Sequence, residues 1–144
     1  MQNNEDFHIP PSGPPQMSPP QVFDKIGFQK LQKMVWLQYQ ELSRSTIAHM
    51  FPTKETDLRA AAQRNAEFMC GILGGPKIYQ QKYGPPQMRR RHMPFAIDEA
   101  ARQEWLRCYR HAFKQSNGLG LSPDEQEELL TWIENFSAWM VNRK

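Results

Sequence analysis

The segment Gly74-Gly75-Pro76-Lys77-Ile78-Tyr79-Gln80-Gln81-Lys82-Tyr83-Gly84, continued by Arg89-Arg90-Arg91-His92-Met93-Pro94-Phe95, decides how the rest of the chain is read. A helical pattern ends at the Gly-Gly-Pro, because glycine accepts the left-handed conformation past a helix C-terminus and proline cannot continue the helix. Another pattern begins just after Phe95. The connector between them is basic, is broken again at Pro85, Pro86 and Pro94, and carries one histidine between cationic and apolar residues. Helices that pack on one another are usually joined by about 2–8 residues, so a connector of roughly twenty reads as a functional segment. It is not a phosphate-cradling loop, since no Gly-Lys-Ser/Thr element follows at the required spacing.

Downstream, Asp98 is placed to cap a helix to about Gln115, with Ala101, Trp105, Cys108, Tyr109 and Ala112 on one face. Asn117-Gly118-Leu119-Gly120 reads as a loop. Ser122 and Glu125 then form a capping box around Pro123 at the first helical position. The last helix runs to about Asn142 with Leu129, Ile133, Phe136 and Met140 inward, and Arg143 and Lys144 complement its C-terminal dipole.

Upstream, a helix starts near Thr56 or Asp57 and turns Leu58, Ala61, Ala62, Asn65, Phe68, Met69 and Ile72 inward. Asn65 interrupts that apolar stripe. A buried amide left without partners costs about 1–3 kcal/mol, so its place signals either a cavity holding something polar or a bond to nearby backbone. Residues 45–52 read as a short helical turn that delivers Phe51 inward. From about Val22 to Ser43, Phe28, Leu31, Val35, Tyr39 and Leu42 follow one helical face, widened by Met34 and Leu37. No alternating strand pattern occurs, so the expected fold is all-α.

At 144 residues, 39% hydrophobic and 23% charged, the chain suits one soluble domain spanning 22–144, behind a flexible proline-rich tail over 1–21. A net charge of +3 is too small to argue for nucleic acid. No apolar run of about 18 residues is present, so no membrane span is expected. There is no secretory signal pattern, and Cys70 and Cys108 sit inside helical patterns as reduced, buried side chains, which makes the cytoplasm the expected compartment. Oligomeric state is not legible.

The run LGGPKIYQQKYGPPQMRRRHMPFAID with the following EAARQEWLRCYRHAF resembles the truncated haemoglobins of group II. The resemblance is specific from about Phe51 to Phe113. It rests on Gly74-Gly75-Pro76, Tyr83-Gly84, Arg89-x-Arg91-His92-x-Pro94-Phe95 and Trp105-Leu106-x-Cys108. It implies a two-over-two helical sandwich around haem b, with His92 as the proximal iron ligand. The second ring nitrogen of such a ligand is expected to donate to a backbone carbonyl, which fixes the tautomer. Outside this motif a lone histidine is usually a surface or core residue.

The resemblance assigns further roles. Trp105 matches a distal tryptophan whose indole can donate to a bound ligand, although on an apolar face it also suits plain core. Phe51 matches an aromatic that packs on the haem, and Tyr39 the distal tyrosine; Gln38 takes that place if no gap is allowed. Ala61 falls where globins often carry a polar distal side chain, and Asn65 one turn further along departs from the leucine or longer amide of the family. Phe68, Met88 and Phe95 are expected to line the haem. Arg89 and Arg91 match basic positions that pair with its propionates; a solvated or RNA-binding face is the alternative. Tyr79 and Tyr83 are expected to be packing residues, and His8, His49 and His111 surface residues.

The implied function is reversible binding of dioxygen or another diatomic ligand, with nitric oxide or peroxide chemistry within its range. Any such catalysis needs a separate reductase, because 144 residues leave no room for a flavin- or nicotinamide-binding segment. The competing reading is a haem-free helical interaction module that binds through the tail and the basic connector. Such a module is colourless, and His92→Ala leaves it unchanged.

Overall fold

The computed structural model describes Pro15 and residues 17–144. Most of the expected proline-rich tail, residues 1–14 and 16, therefore lies outside the described residues. Its last residues are packed: Pro20 is buried, and the Gln21 amide donates to the carbonyl of Ile72 at 3.1 Å.

The helices are α1 (Phe23–Ile26), α2 (Phe28–Leu42), α3 (Glu55–Ile72), α4 (Ile78–Tyr83), α5 (Met88–His92), α6 (Glu99–Gln115) and α7 (Pro123–Met140), with 3-10 turns at Ala48–Met50 and Asn117–Gly120. No strand element occurs among the described residues. The single helix expected from Val22 is broken at Gly27, whose φ of 79° a helix interior does not allow. The α3 start also differs. Lys54 stands at the cap position without a side-chain bond, and neither Thr56 nor Asp57 caps the helix. The other two caps are as expected. Asp98 Oδ1 accepts from the Ala101 amide at 2.8 Å, and Ser122 and Glu125 complete a reciprocal capping box with Pro123 in the first turn.

Helix α2 packs on both α3 and α6, α6 on α7, and the short α4 and α5 lie against α3 and α7 respectively. Two helix pairs, α2 with α3 and α6 with α7, thus enclose one core. Leu31, Met34, Val35, Leu42, Leu106, Leu129 and Ile133 are fully buried in it. Each such side chain contributes about 1.5–3 kcal/mol of transfer free energy.

The two glycines of the Gly-Gly-Pro differ in purpose. Gly74 has φ of 97° and takes the left-handed position past α3. Gly75 makes room: a Cβ there would lie 2.7 Å from the Phe23 ring and 2.8 Å from Cys70 Sγ. Helix α1 and the end of α3 can meet only across a residue without a side chain.

Candidate functional site

A cavity of about 400 Å³ opens between the helix pairs and the connector, within the usual range for small-molecule sites. Its walls are mostly apolar: Ile47, Met50, Phe51, Phe68, Met88, Phe95, Ile133, Phe136 and Met140 among them. Its polar groups include Tyr39 from α2, Asn65 and Arg64 from α3, His92 from α5, and Trp105 with Tyr109 from α6.

His92 ends α5, a five-residue helix that buries none of its side chains fully. Its Nδ1 lies 2.6 Å from the carbonyl of Met88, one turn earlier. A carbonyl can only accept, so Nδ1 carries the proton and Nε2 presents a lone pair. Burial pulls the imidazole pKa below its ordinary value, while the Met88 bond pushes the other way. The ring is thereby held neutral, the form in which an imidazole binds a metal.

The α2 and α3 walls meet at a polar contact. Asn65 Nδ2 donates to the Tyr39 hydroxyl oxygen at 3.1 Å. The phenol's own proton then remains available to an acceptor in the cavity. Burial raises the Tyr39 pKa, offset in part by the Asn65 bond and the nearby Arg64 charge, so the phenol stays protonated. Phe51 meets the Tyr39 ring edge-on at 5.7 Å, which fixes the phenol's plane. Gln38 is buried but does not line the cavity, whereas Tyr39 does. Ala61 lines the cavity beside Asn65 and adds no polar group.

On the α6 wall the Trp105 indole stacks on Tyr109 with ring centres 5.6 Å apart. Tyr109 is 2% exposed and its hydroxyl has no partner among the described residues. Burial drives its pKa well above the ordinary tyrosine range. The sequence suggests only core packing for this residue, and the polar atom in the cavity wall comes from its place one turn beyond Trp105.

The basic residues are sorted differently from expectation. Arg89 does not line the cavity. Its Nη1 donates to the carbonyls of Trp139 at 2.5 Å and Val141 at 2.9 Å, closing the C-terminal end of α7. Arg91 lines the cavity, but its guanidinium donates to the carbonyls of Pro86, Tyr83 and Pro85 at 2.7, 3.2 and 3.2 Å and lies over the Tyr79 ring. Arg64, which no feature of the sequence marks out, is an exposed cation at the cavity wall. Tyr79 also lines the cavity, a second role beside packing, whereas Tyr83 does not. His49 is exposed and His111 lies 3.2 Å from Glu41 at the surface; His8 falls outside the described residues.

These residues fit an iron porphyrin. Among the described residues no group of three or more His, Cys, Asp or Glu could hold a bare metal ion. A metal carried in a macrocycle brings most of its ligands with it. The apolar walls suit the flat face of such a group, and the His92 imidazole, with Nε2 free, is the residue that would hold its iron.

Comparison with known proteins agrees. The model of the bacterial-like globins matches residues 21–142. The group 2 truncated hemoglobin YjbI of Bacillus subtilis is 30% identical over 122 residues, covering 84% of this chain and 88% of that protein. Two-on-two hemoglobin-3 of Arabidopsis thaliana is 24% identical over 123 residues, covering 83% and 68%. Among solved structures, phosphate-bound Hell's gate globin IV superposes with a TM-score of 0.83 at 38% identity, covering 90% of this chain and 80% of that one. The group II truncated hemoglobin of Bacillus anthracis superposes with a TM-score of 0.76 at 27% identity, covering 90% and 94%. The fold is that of a two-over-two truncated globin, and the chain belongs to the bacterial-like globin family, whose members bind haem and, through its iron, small gaseous ligands.

Proposed function

We propose that this protein binds haem b through His92 and uses the Tyr39, Asn65 and Trp105 side of the cavity to retain dioxygen or another diatomic ligand. The observation that carries the reading is the hydrogen bond from His92 Nδ1 to the Met88 carbonyl at 2.6 Å, which leaves Nε2 unprotonated inside an apolar cavity. Haem, when bound, supplies the iron at which a diatomic ligand attaches. The protein residues do the rest. Phe51, Phe68 and Met88 form an apolar wall with the exposed Phe95 at its rim, Arg64 and Arg91 offer positive charge to the propionates, and Tyr39 and Trp105 place donor groups on the cavity wall. Arg89 acts through the end of α7 instead.

Directed donors retain a ligand that acquires negative charge, since each charge-assisted hydrogen bond is worth about 1.5–3 kcal/mol. Slow release suits sensing or oxidative chemistry on nitric oxide or peroxide, with electrons from a separate reductase, better than bulk carriage.

The test is the visible absorption spectrum of the purified protein, ferric and reduced, beside His92→Ala. A strong Soret band that the substitution weakens or shifts is expected. An identical spectrum in the variant removes His92 from the iron, and no Soret band after haem is added removes haem from the cavity.

A further inference from the structure

Helix α5 carries His92 yet has little apolar burial to hold it. It is five residues long, buries no side chain fully, and runs from Pro86-Gln87, where Gln87 has φ of 42°, to Pro94. Hydrophobic packing cannot by itself fix the angle at which such a segment presents an imidazole. The ring bond to Met88 and the Arg91 bonds act within the connector, and the bonds that tie the segment to the rest of the fold include a set from the residues that follow α7.

Asn142 is 0% exposed, an extreme value for a side-chain amide. Its Nδ2 donates to the carbonyl of Phe95 at 3.0 Å and to that of His92 itself at 3.3 Å. Its Oδ1 accepts from the Ile97 amide at 2.9 Å. The backbone amides of Asn142 and Arg143 both donate to the Ile97 carbonyl, at 2.9 and 3.0 Å. One side chain and two peptide groups thus tie His92, Phe95 and Ile97 to the end of α7, and Arg89 makes the same connection from the other end of α5.

We propose that Asn142 is a positioning residue for His92, setting the orientation of the imidazole through the His92 and Phe95 carbonyls. This rests on His92 being the iron ligand. Asn142 bonds to backbone rather than to the ring and does not line the cavity, so it acts on the metal bond only through the backbone. A displaced carbonyl would rotate the peptide that carries the imidazole and so change the direction in which Nε2 faces a bound iron. Side-chain amides suit the task because one group donates and accepts at once. Asn142→Asp keeps the acceptor for Ile97 and removes both donors.

The test uses the whole haem-loaded chain and reads the iron–histidine stretching band of the reduced form by resonance Raman, together with the rate of haem loss to an excess of acceptor apoglobin. Asn142→Asp is expected to shift the band and to speed haem loss several-fold. The same substitution is then placed in His92→Gly supplied with free imidazole. There the ring is no longer attached to the backbone, and the band is expected at the same frequency with and without Asn142→Asp. An unshifted band in Asn142→Asp alone, or a shift that persists with free imidazole, overturns the positioning role. Asn142→Ser, too short to reach either carbonyl, is the second variant; loss of the fold in both assigns Asn142 to folding alone and overturns it as well. An iron–nitrogen band that survives His92→Gly without imidazole is a different result, and overturns the assignment of His92 itself.

Discussion

Asn65 on α3 donates its amide hydrogen to the hydroxyl oxygen of Tyr39 on α2, 3.1 Å away, inside the cavity that His92 also lines. The direction of this bond matters. A phenol that accepts from an amide is polarised toward donating its own proton, since hydrogen bonds in a chain strengthen one another. On the proposed function, the amide that interrupts an otherwise apolar stripe is part of the ligand-binding apparatus rather than a flaw in the core. Tyr39→Phe removes the donor outright and is expected to raise the dioxygen dissociation rate more than Asn65→Leu, which removes only its support. The two changes share one hydrogen-bonded unit, so the double variant should resemble Tyr39→Phe alone. Stopped-flow displacement of dioxygen measures all three, and additive effects would show that Asn65 acts independently of Tyr39.

Trp105 approaches the same space from α6, held by its stack on Tyr109. Trp105→Phe keeps an aromatic ring for that stack and deletes the indole N–H. Dioxygen release is expected to quicken several-fold with little change in thermal stability. An unchanged off-rate would confine Trp105 to packing.

How far the sequence reaches depends on the range of the interaction. The Asp98 cap and the Ser122–Glu125 capping box are local and were legible from residues three apart. His92 stood out because proline, glycine and arginine mark its connector as something other than a packing segment. Gly27 was also in view, but the regular spacing on either side of it concealed the break. What stayed hidden lies across the chain. Arg89 reads as a propionate partner in a basic run, yet its acceptors are carbonyls about fifty positions away at the end of α7. Asn142 carries no local mark of burial at all. Glu67 is the clearest case, since a carboxylate on an amphipathic helix is ordinarily solvated, and here it is 1% exposed.

Glu67 keeps that position through Lys82 Nζ at 2.6 Å and the Tyr83 hydroxyl at 3.4 Å, which join α3 to α4. Only the carboxylate is buried, the lysine side chain being half-exposed, so removing the lysine strands a buried charge, whereas removing both leaves no charge to desolvate. Lys82→Met is therefore expected to lower the Tm, and Glu67→Leu combined with Lys82→Met to recover part of the loss. Calorimetry on the three proteins decides; a double variant less stable than Lys82→Met would show that the carboxylate is satisfied without the lysine.

Gly75→Ala places a methyl group against the Phe23 ring and Cys70 Sγ, both closer than 3.0 Å. Overpacking of this kind costs about 1–3 kcal/mol. Because the clash lies where α1 meets the end of α3, the pair Gly75→Ala with Phe23→Leu should regain stability that Phe23→Leu alone does not confer. Urea unfolding of the single and double variants checks the coupling, and independent effects would place the strain elsewhere.

Cys108 offers a prediction in pH. The thiol is fully buried, and burial pushes its pKa from 9.0 up to about 11. At pH 8.5 an unfolded cysteine with a pKa near 9 is about one-quarter thiolate, while the folded Cys108 is held almost wholly as the thiol. Iodoacetamide at that pH should leave Cys108 unmodified in the native protein and label it readily in denaturant, which peptide mass spectrometry distinguishes. The same shift acts on stability. A folded pKa above the unfolded one means that the native state holds the proton more tightly, so the contribution is complete below pH 9 and is lost as pH climbs toward 11. Cys108→Ala cannot ionise, and its Tm should fall less than that of the parent between about pH 8 and pH 10.5. Equal falls would mean that alkaline destabilisation comes from other groups.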